Sequence, residues 1–267
     1  MFTVIISIAA GLVVMLALAL TGVSAWGWAI FFGFLGFFAS QFISGSILKK
    51  KIQQEMQAVQ AILLSGQKQM QEKTNTWRFR PPGSPKQAQI ELAKMQHVFI
   101  EKALKQSESF ERYYKWSPLL KRQIATFRMQ MNYQDRNYDE VDRLMPSCLF
   151  MEPISMAMKM ARMYSRNDDK IDAFFEKSVR RMRYGQGAVL YGLYAWICVK
   201  RGNIDKAITI LQRSDKHMEN ETLKHALEVL KNNRPKQFSL AGLGDEWYAL
   251  GLEEPRIKFQ RAPQRPF

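Results

Sequence analysis

The chain has 267 residues, with 39 Lys and Arg against 24 Asp and Glu, for a net charge of +15. Every charged residue lies beyond Leu48, and Met1 to Leu48 holds no Asp, Glu, Lys, Arg or His. No globular surface is built from such a stretch, so an ordinary water-soluble protein is excluded; 15 Gly and 10 Pro are too few for a collagen-like or low-complexity chain.

The first element is Val4 to Leu20, apolar on every side, and Thr21-Gly22-Val23-Ser24 interrupts it. The second, Trp26 to Ile43, is again without charge. A bilayer core of about 30 Å takes roughly 20 helical residues, so each run is read as one span and together they predict a transmembrane helical hairpin over residues 1–48. Trp26 and Trp28 flank its outer turn, where amphipathic rings favour the interface. Lys49, Lys50 and Lys51 follow directly, and the excess of Lys and Arg on cytoplasmic loops places that end, and the polar domain behind it, in the cytoplasm. A competing reading takes the first run as a signal peptide cleaved after Val23-Ser24-Ala25, although it lacks the usual positive start. Gly27, Gly33 and Gly36 miss the GxxxG spacing and are read as packing of the two spans on each other.

Residues 49–83 form a basic helical stalk and a proline-rich linker. Ile52, Met56, Val59, Leu63, Gly66 and Met70 recur at spacings of 4 and 3, a heptad seam. It serves either a coiled-coil homo-oligomer beside the membrane or packing on the chain's own domain, the commoner use of such a stripe. Pro81-Pro82-Gly83 ends any helix, and Ser84-Pro85 restarts one, with Ser as N-cap and Pro in the first turn. Residues 49–130 carry 16 Lys and Arg against 6 Asp and Glu, a concentration near the membrane that suits contact with anionic lipid. No nucleic-acid motif accompanies it, so a nucleic-acid partner is not expected.

From Ser84 the periodicity predicts helices near 85–106, 118–133, 137–146, 153–166, 169–183, 187–201, 203–216 and 219–232, joined by short polar turns, and no strand. Ala161 and Ala195 lie 34 residues apart, as do Ala173 and Ala207, and within each unit the two alanines, 12 residues apart, stand where two helices would cross closely. Gly202-Asn203-Ile204-Asp205-Lys206-Ala207 forms the turn of one unit, Asn167 to Phe174 that of the unit before, and Asn137 to Val141 that of a less regular earlier one. This pattern resembles the tetratricopeptide repeat family over about residues 154–221. Tyr191, Tyr194, Ala195, Gly202, Ala207 and Leu211 fall on its signature positions, as do Ala161, Tyr164 and Ala173 one unit earlier. There Asp168 replaces the family's glycine, Lys177 stands where a large apolar residue is usual, and the closing proline is missing in both units. The expected fold class is therefore all-α: a transmembrane hairpin, a helical stalk, and a TPR-like solenoid of antiparallel helix pairs over 84–234, or else a helical bundle whose alanines coincide.

The resemblance implies a concave groove that binds other proteins, lined by Met158, Arg162 and Arg166 and then by Val189, Trp196, Val199 and Lys200. A basic groove with a tryptophan suits an acidic peptide segment, although Trp196 serves equally well as core. Residues 235–267 hold an apolar stretch with a short helix capped by Asp245, read as covering the last repeat or as binding a partner, and a basic tail with one PxxP.

Catalytic chemistry is not found. Gly185-Gln186-Gly187 and Gly242-Leu243-Gly244 lack the rest of a phosphate loop. His97, His217 and His225 have no partner at ligand or catalytic spacing, and Cys148 and Cys198 are read as buried thiols. The bunched Met151, Met156, Met158, Met160 and Met163 are read as core packing rather than as a docking surface. No enzyme activity, cofactor or metal is expected. The sequence therefore points to a membrane-anchored interaction scaffold or, alternatively, to an accessory subunit of a larger membrane complex.

Overall fold

The computed structural model describes residues 2–20, 26–77, 79–80 and 82–254, and among these there is no strand. The expected turn at 21–25, the cleavage motif within it and the basic tail at 256–267 lie outside the described residues. The chain divides into two compact units, Met1–Met131 and Asn132–Phe267. This cut differs from the linker at 81–85, because the helices that follow the linker pack on those before it.

In the first unit, α1 (Phe2–Leu20) runs antiparallel to the opening part of α2 (Trp26–Thr76). Their approach is close because glycines meet. A Cβ on Gly11 would lie 2.8 Å from the Gly33 carbonyl oxygen, and one on Gly36 would lie 3.1 Å from Val14. Polar groups in this seam pair with each other: the Ser7 hydroxyl, fully buried, donates to Gln41 Oε1 at 2.8 Å and lies 3.5 Å from the Ser40 hydroxyl. The outward faces are apolar and open, with Val13 65% exposed, Phe34 63% and Phe42 77%. Within α2, the part from Ile30 on is long and apolar enough to cross a membrane; Val4–Leu20 is apolar but shorter.

α2 continues without a break through Lys49, Lys50 and Lys51, all exposed, into the stalk. Its heptad stripe faces α3 (Pro85–Ser107), the 3₁₀ turn Glu108–Tyr113 and α4 (Pro118–Gln134). Val59 is buried with Ala103, Phe110, Leu120 and Ile124, and Ile52, Met56 and Leu63 pack around them. At Gly66 the fit is closer still, since an added Cβ would meet the Phe99 ring at 2.4 Å. The seam is thus taken up within the chain. Glu55 fixes its register: Ser109 Oγ donates to it at 2.7 Å, Gln106 Nε2 at 3.1 Å, and Arg112 pairs with it. The helix restart is as expected, with Ser84 accepting from the Gln87 N–H at 3.2 Å and Pro85 in the first turn.

The second unit continues with α5 (Tyr138–Leu144), α6 (Pro153–Ser165), α7 (Ile171–Val179), α8 (Ala188–Lys200), α9 (Ile204–His217) and α10 (Glu221–Lys231). α7 stops at Val179, four residues short of expectation. Beyond it the chain turns through Gly185 and Gly187, whose φ of +80° and +92° a helix does not accommodate. After α10, Pro235 prevents a further paired helix, and α11 (Asp245–Tyr248) is a single turn. Asp245 is its first residue and makes no capping bond; Gly244 stands at the cap.

A repeated device ends α4, α6, α8 and α10. The second residue after each helix adopts left-handed backbone: Arg136 (φ 60°), Asn167 (53°), Gly202 (79°) and Asn233 (52°). In each case the next N–H bonds back five residues: Asn137 to Asn132, Asp168 to Met163, Asn203 to Cys198, and Arg234 to Val229, at 2.9–3.1 Å. The left-handed residue of the unit before Gly202 is therefore Asn167, not Asp168. The turn that matches Gly202-Asn203 in full is Arg136-Asn137. Tyr138 N donates to Arg136 O as Ile204 N does to Gly202 O, and Val141 N to Asn137 O as Ala207 N does to Asn203 O. Ala161, Ala195 and Ala207 are fully buried, as close crossings require. Ala173 is not: it is exposed and lines a cleft, because the shortened α7 packs less closely on its partner than α9 does on α8.

Candidate functional site

Two places in the second unit concern the residues singled out by sequence. The first is a cleft of about 420 Å³ between α5, α6 and α7. On α6 the methionines separate by face. Met156, Met158 and Met160 are buried in the core, so Met158 presents no surface to a partner, while Met163 turns into the cleft and Met151 is exposed. Arg162 and Arg166 converge on one carboxylate from α5. Arg162 Nη2 lies 2.7 Å and Arg166 Nη2 2.5 Å from Asp142 Oδ2, and the Arg162 guanidinium stacks 4.4 Å from the Tyr138 ring centre. The hydrogen bond to Asp142 raises the Arg162 pKa further, so this cation is permanent. Lys159 is held differently. Its ammonium lies 4.7 Å from the Phe150 ring centre and 5.0 Å from that of Phe174. Burial there lowers its pKa, and the nearby Lys177 adds to the shift. Lys177, the departure from the family pattern, is exposed on the cleft wall beside Ala173.

The second place is the outer face of α8, the predicted groove surface. The C-terminal segment covers it. A Cβ on Gly192 would lie 3.1 Å from Leu243, 3.3 Å from Leu223 and 3.4 Å from Leu240. Trp196 meets the Trp247 ring edge-on at 6.0 Å, and both indoles donate to Glu253 at 2.9 Å, one to each oxygen. Trp196 is consequently 7% exposed, with the Lys200 ammonium 5.1 Å from its ring centre. Tyr133 donates to the Leu250 carbonyl at 2.8 Å and closes the far end. Arg162 and Arg166 are thus brought together, as are Trp196 and Lys200, but the two pairs occupy different surroundings. Nothing in the sequence marked Asp142 or Lys159; Asp142, three before Met145-Pro146, reads only as a helix acid, and Glu253, beside Glu254, only as a turn or cap acid.

Neighbouring helix pairs are tied through their second helices. Asp172 on α7 accepts from the Tyr194 hydroxyl at 2.7 Å and pairs with Lys206 on α9 at 2.5 Å, and Glu176 pairs with Arg213 at 2.8 Å. Burial opposes ionisation of Asp172, but the hydrogen bonds from Lys206 and Tyr194 outweigh it and hold the carboxyl below its ordinary 3.8. Burial pushes the Tyr194 hydroxyl up to about 12. A depressed carboxyl contributes stability above its unfolded pKa and loses it as pH falls through the folded value. Asp172→Asn should therefore lower the thermal midpoint by a constant amount from neutrality down to about pH 5. The gap to wild type should narrow below 3.8 and then close, as followed by circular dichroism melts across that range.

His97, His217 and His225 are exposed, and Cys148 and Cys198 are buried and not joined in a disulfide. Burial raises the Cys198 pKa. Among the described residues no group of three or more His, Cys, Asp or Glu is placed to hold a metal. No protein family, curated protein or solved structure matches the chain.

Proposed function

We propose that this chain is a membrane-anchored interaction scaffold, with a two-span hairpin holding a cytoplasmic, TPR-like helical domain that docks other proteins at the bilayer. The observation that carries the reading is the packing of α1 on the charge-free opening part of α2, up to Leu48, both with open apolar outward faces. Exposed apolar area of that extent is stable only in lipid or against other spans. The 19 residues of α1 reach about 28 Å as a helix, close to the thickness of a bilayer core. Ser7 hydrogen-bonds to Gln41 across the seam between them. The exposed Lys49, Lys50 and Lys51 at the end of the apolar part support a cytoplasmic orientation and contact with anionic lipid.

The repeated left-handed helix ends, the buried alanines and the ion pairs between α7 and α9 support stacked helix pairs, which in other proteins serve as docking surfaces. The test is native sizing of the full chain after mild detergent extraction, with the co-purifying proteins identified. A scaffold gives partners in variable amounts. One fixed stoichiometry supports the accessory-subunit alternative, and a bare monomer without partners contradicts both.

A further inference from the structure

The cleft between α5, α6 and α7 carries a charge surplus that the fold does not use. Five cations surround it, against the carboxylates of Asp142 and Asp168. Asp142 is spent on Arg162 and Arg166, and Asp168 accepts the Lys170 backbone N–H at 2.8 Å. The ammonium groups of Lys159, Lys170 and Lys177 form no ion pair among the described residues. Their floor is apolar, made by Met145, Met163 and Phe174.

We infer that this cleft is a docking site for an acidic peptide segment of a partner protein, seating an apolar side chain on Met163 and Phe174 with carboxylates set against Lys159, Lys170 and Lys177. The inference rests on the reading of the chain as a docking protein and moves the site away from the Trp196 face, which the C-terminal segment covers. Charge complementarity selects the partner's sign. The apolar side chains of Met145, Met163 and Phe174 among the lining select a peptide, because a bare phosphate offers them nothing to bury. The Asp142 clamp holds both arginines in place before a ligand arrives, which lowers the ordering cost of binding. Lys159, partly desolvated between two rings, gains most from an incoming carboxylate.

The test uses the full chain in zwitterionic lipid nanodiscs and the fluorescein-labelled peptide acetyl-Glu-Glu-Asp-Leu-Phe-Asp-Glu-amide, read by fluorescence anisotropy. Saturable binding is expected, weakened about tenfold or more by the combined Lys159→Gln, Lys170→Gln and Lys177→Gln changes. The double Lys170→Gln, Lys177→Gln variant alters only exposed side chains, so its loss of binding reports the site and not the fold. Trp196→Phe should bind as wild type does, and a peptide with Ala-Ala in place of Leu-Phe should bind several-fold more weakly. The inference is overturned by lysine variants that bind within about twofold of wild type, by the absence of saturable binding, or by inorganic phosphate displacing the peptide at matched charge. Membrane attachment does not enter this readout. Partners that still co-purify with the lysine variants would overturn the cleft and leave the scaffold reading standing.

Discussion

Trp247→Ala should destabilise the second unit by about 3–5 kcal/mol, the range for deleting a large buried aromatic side chain. Trp247 is fully buried on a helix of one turn, so its place is fixed by what it touches and not by local helix strength. It packs edge-on against Trp196 and shares Glu253 with it. Truncation removes the ring, leaves a cavity beside Trp196, and frees the segment that shields α8. Two readouts follow. The urea or thermal midpoint of the full chain in detergent should fall sharply, and the Trp196 indole should become accessible to acrylamide quenching. A variant that melts within about 1 kcal/mol of wild type, with Trp196 still shielded, would show that the segment does not hold that face.

Phe110→Ala should have an effect of similar size in the first unit, about 3–5 kcal/mol. Phe110 is fully buried in a 3₁₀ turn, enclosed by Val59, Ala103, Leu120 and Ile124. It is the point where the stalk, α3 and α4 meet, so its loss should raise amide exchange in α3 and in the 52–66 part of α2 together. The same packing predicts how fragments behave. A fragment that starts at Ser84 lacks Ile52, Met56, Val59 and Leu63 and leaves Phe110 and Leu120 uncovered. It should aggregate where one starting at Lys49 stays soluble. Unchanged exchange in α3 and equal solubility of the two fragments would contradict the seam.

Much of the helical layout was legible because amphipathic periodicity and caps agree. The restart at Ser84-Pro85 and the turn at Gly202-Asn203 rest on residue types with one dominant use. The 3₁₀ turn at Glu108–Tyr113 was not legible, since six residues with one buried phenylalanine have no period. The repeated helix ends were half hidden, because Arg136, Asn167 and Asn233 adopt the conformation that glycine advertises. Ala173 misled for a related reason. The 34-residue spacing places it at a close crossing, but α7 is too short to make one, and it lines the cleft instead, together with Lys177, which already departed from the family pattern. The candidate site was least legible. Arg162 and Arg166 are visible as a basic pair, whereas their shared Asp142 comes from another helix, and the burial of Trp196 depends on Glu253, 57 residues away. Such pairings are set by tertiary packing, to which local pattern is blind.

Lipid is the expected solvent of α1 and of the first half of α2. Membranes containing the full chain, washed with alkaline carbonate and sedimented, test it directly. The chain should stay wholly in the pellet and move to the supernatant only when detergent is added. Recovery in the detergent-free supernatant would contradict the anchoring and, with it, the reading of this protein as a scaffold at the bilayer.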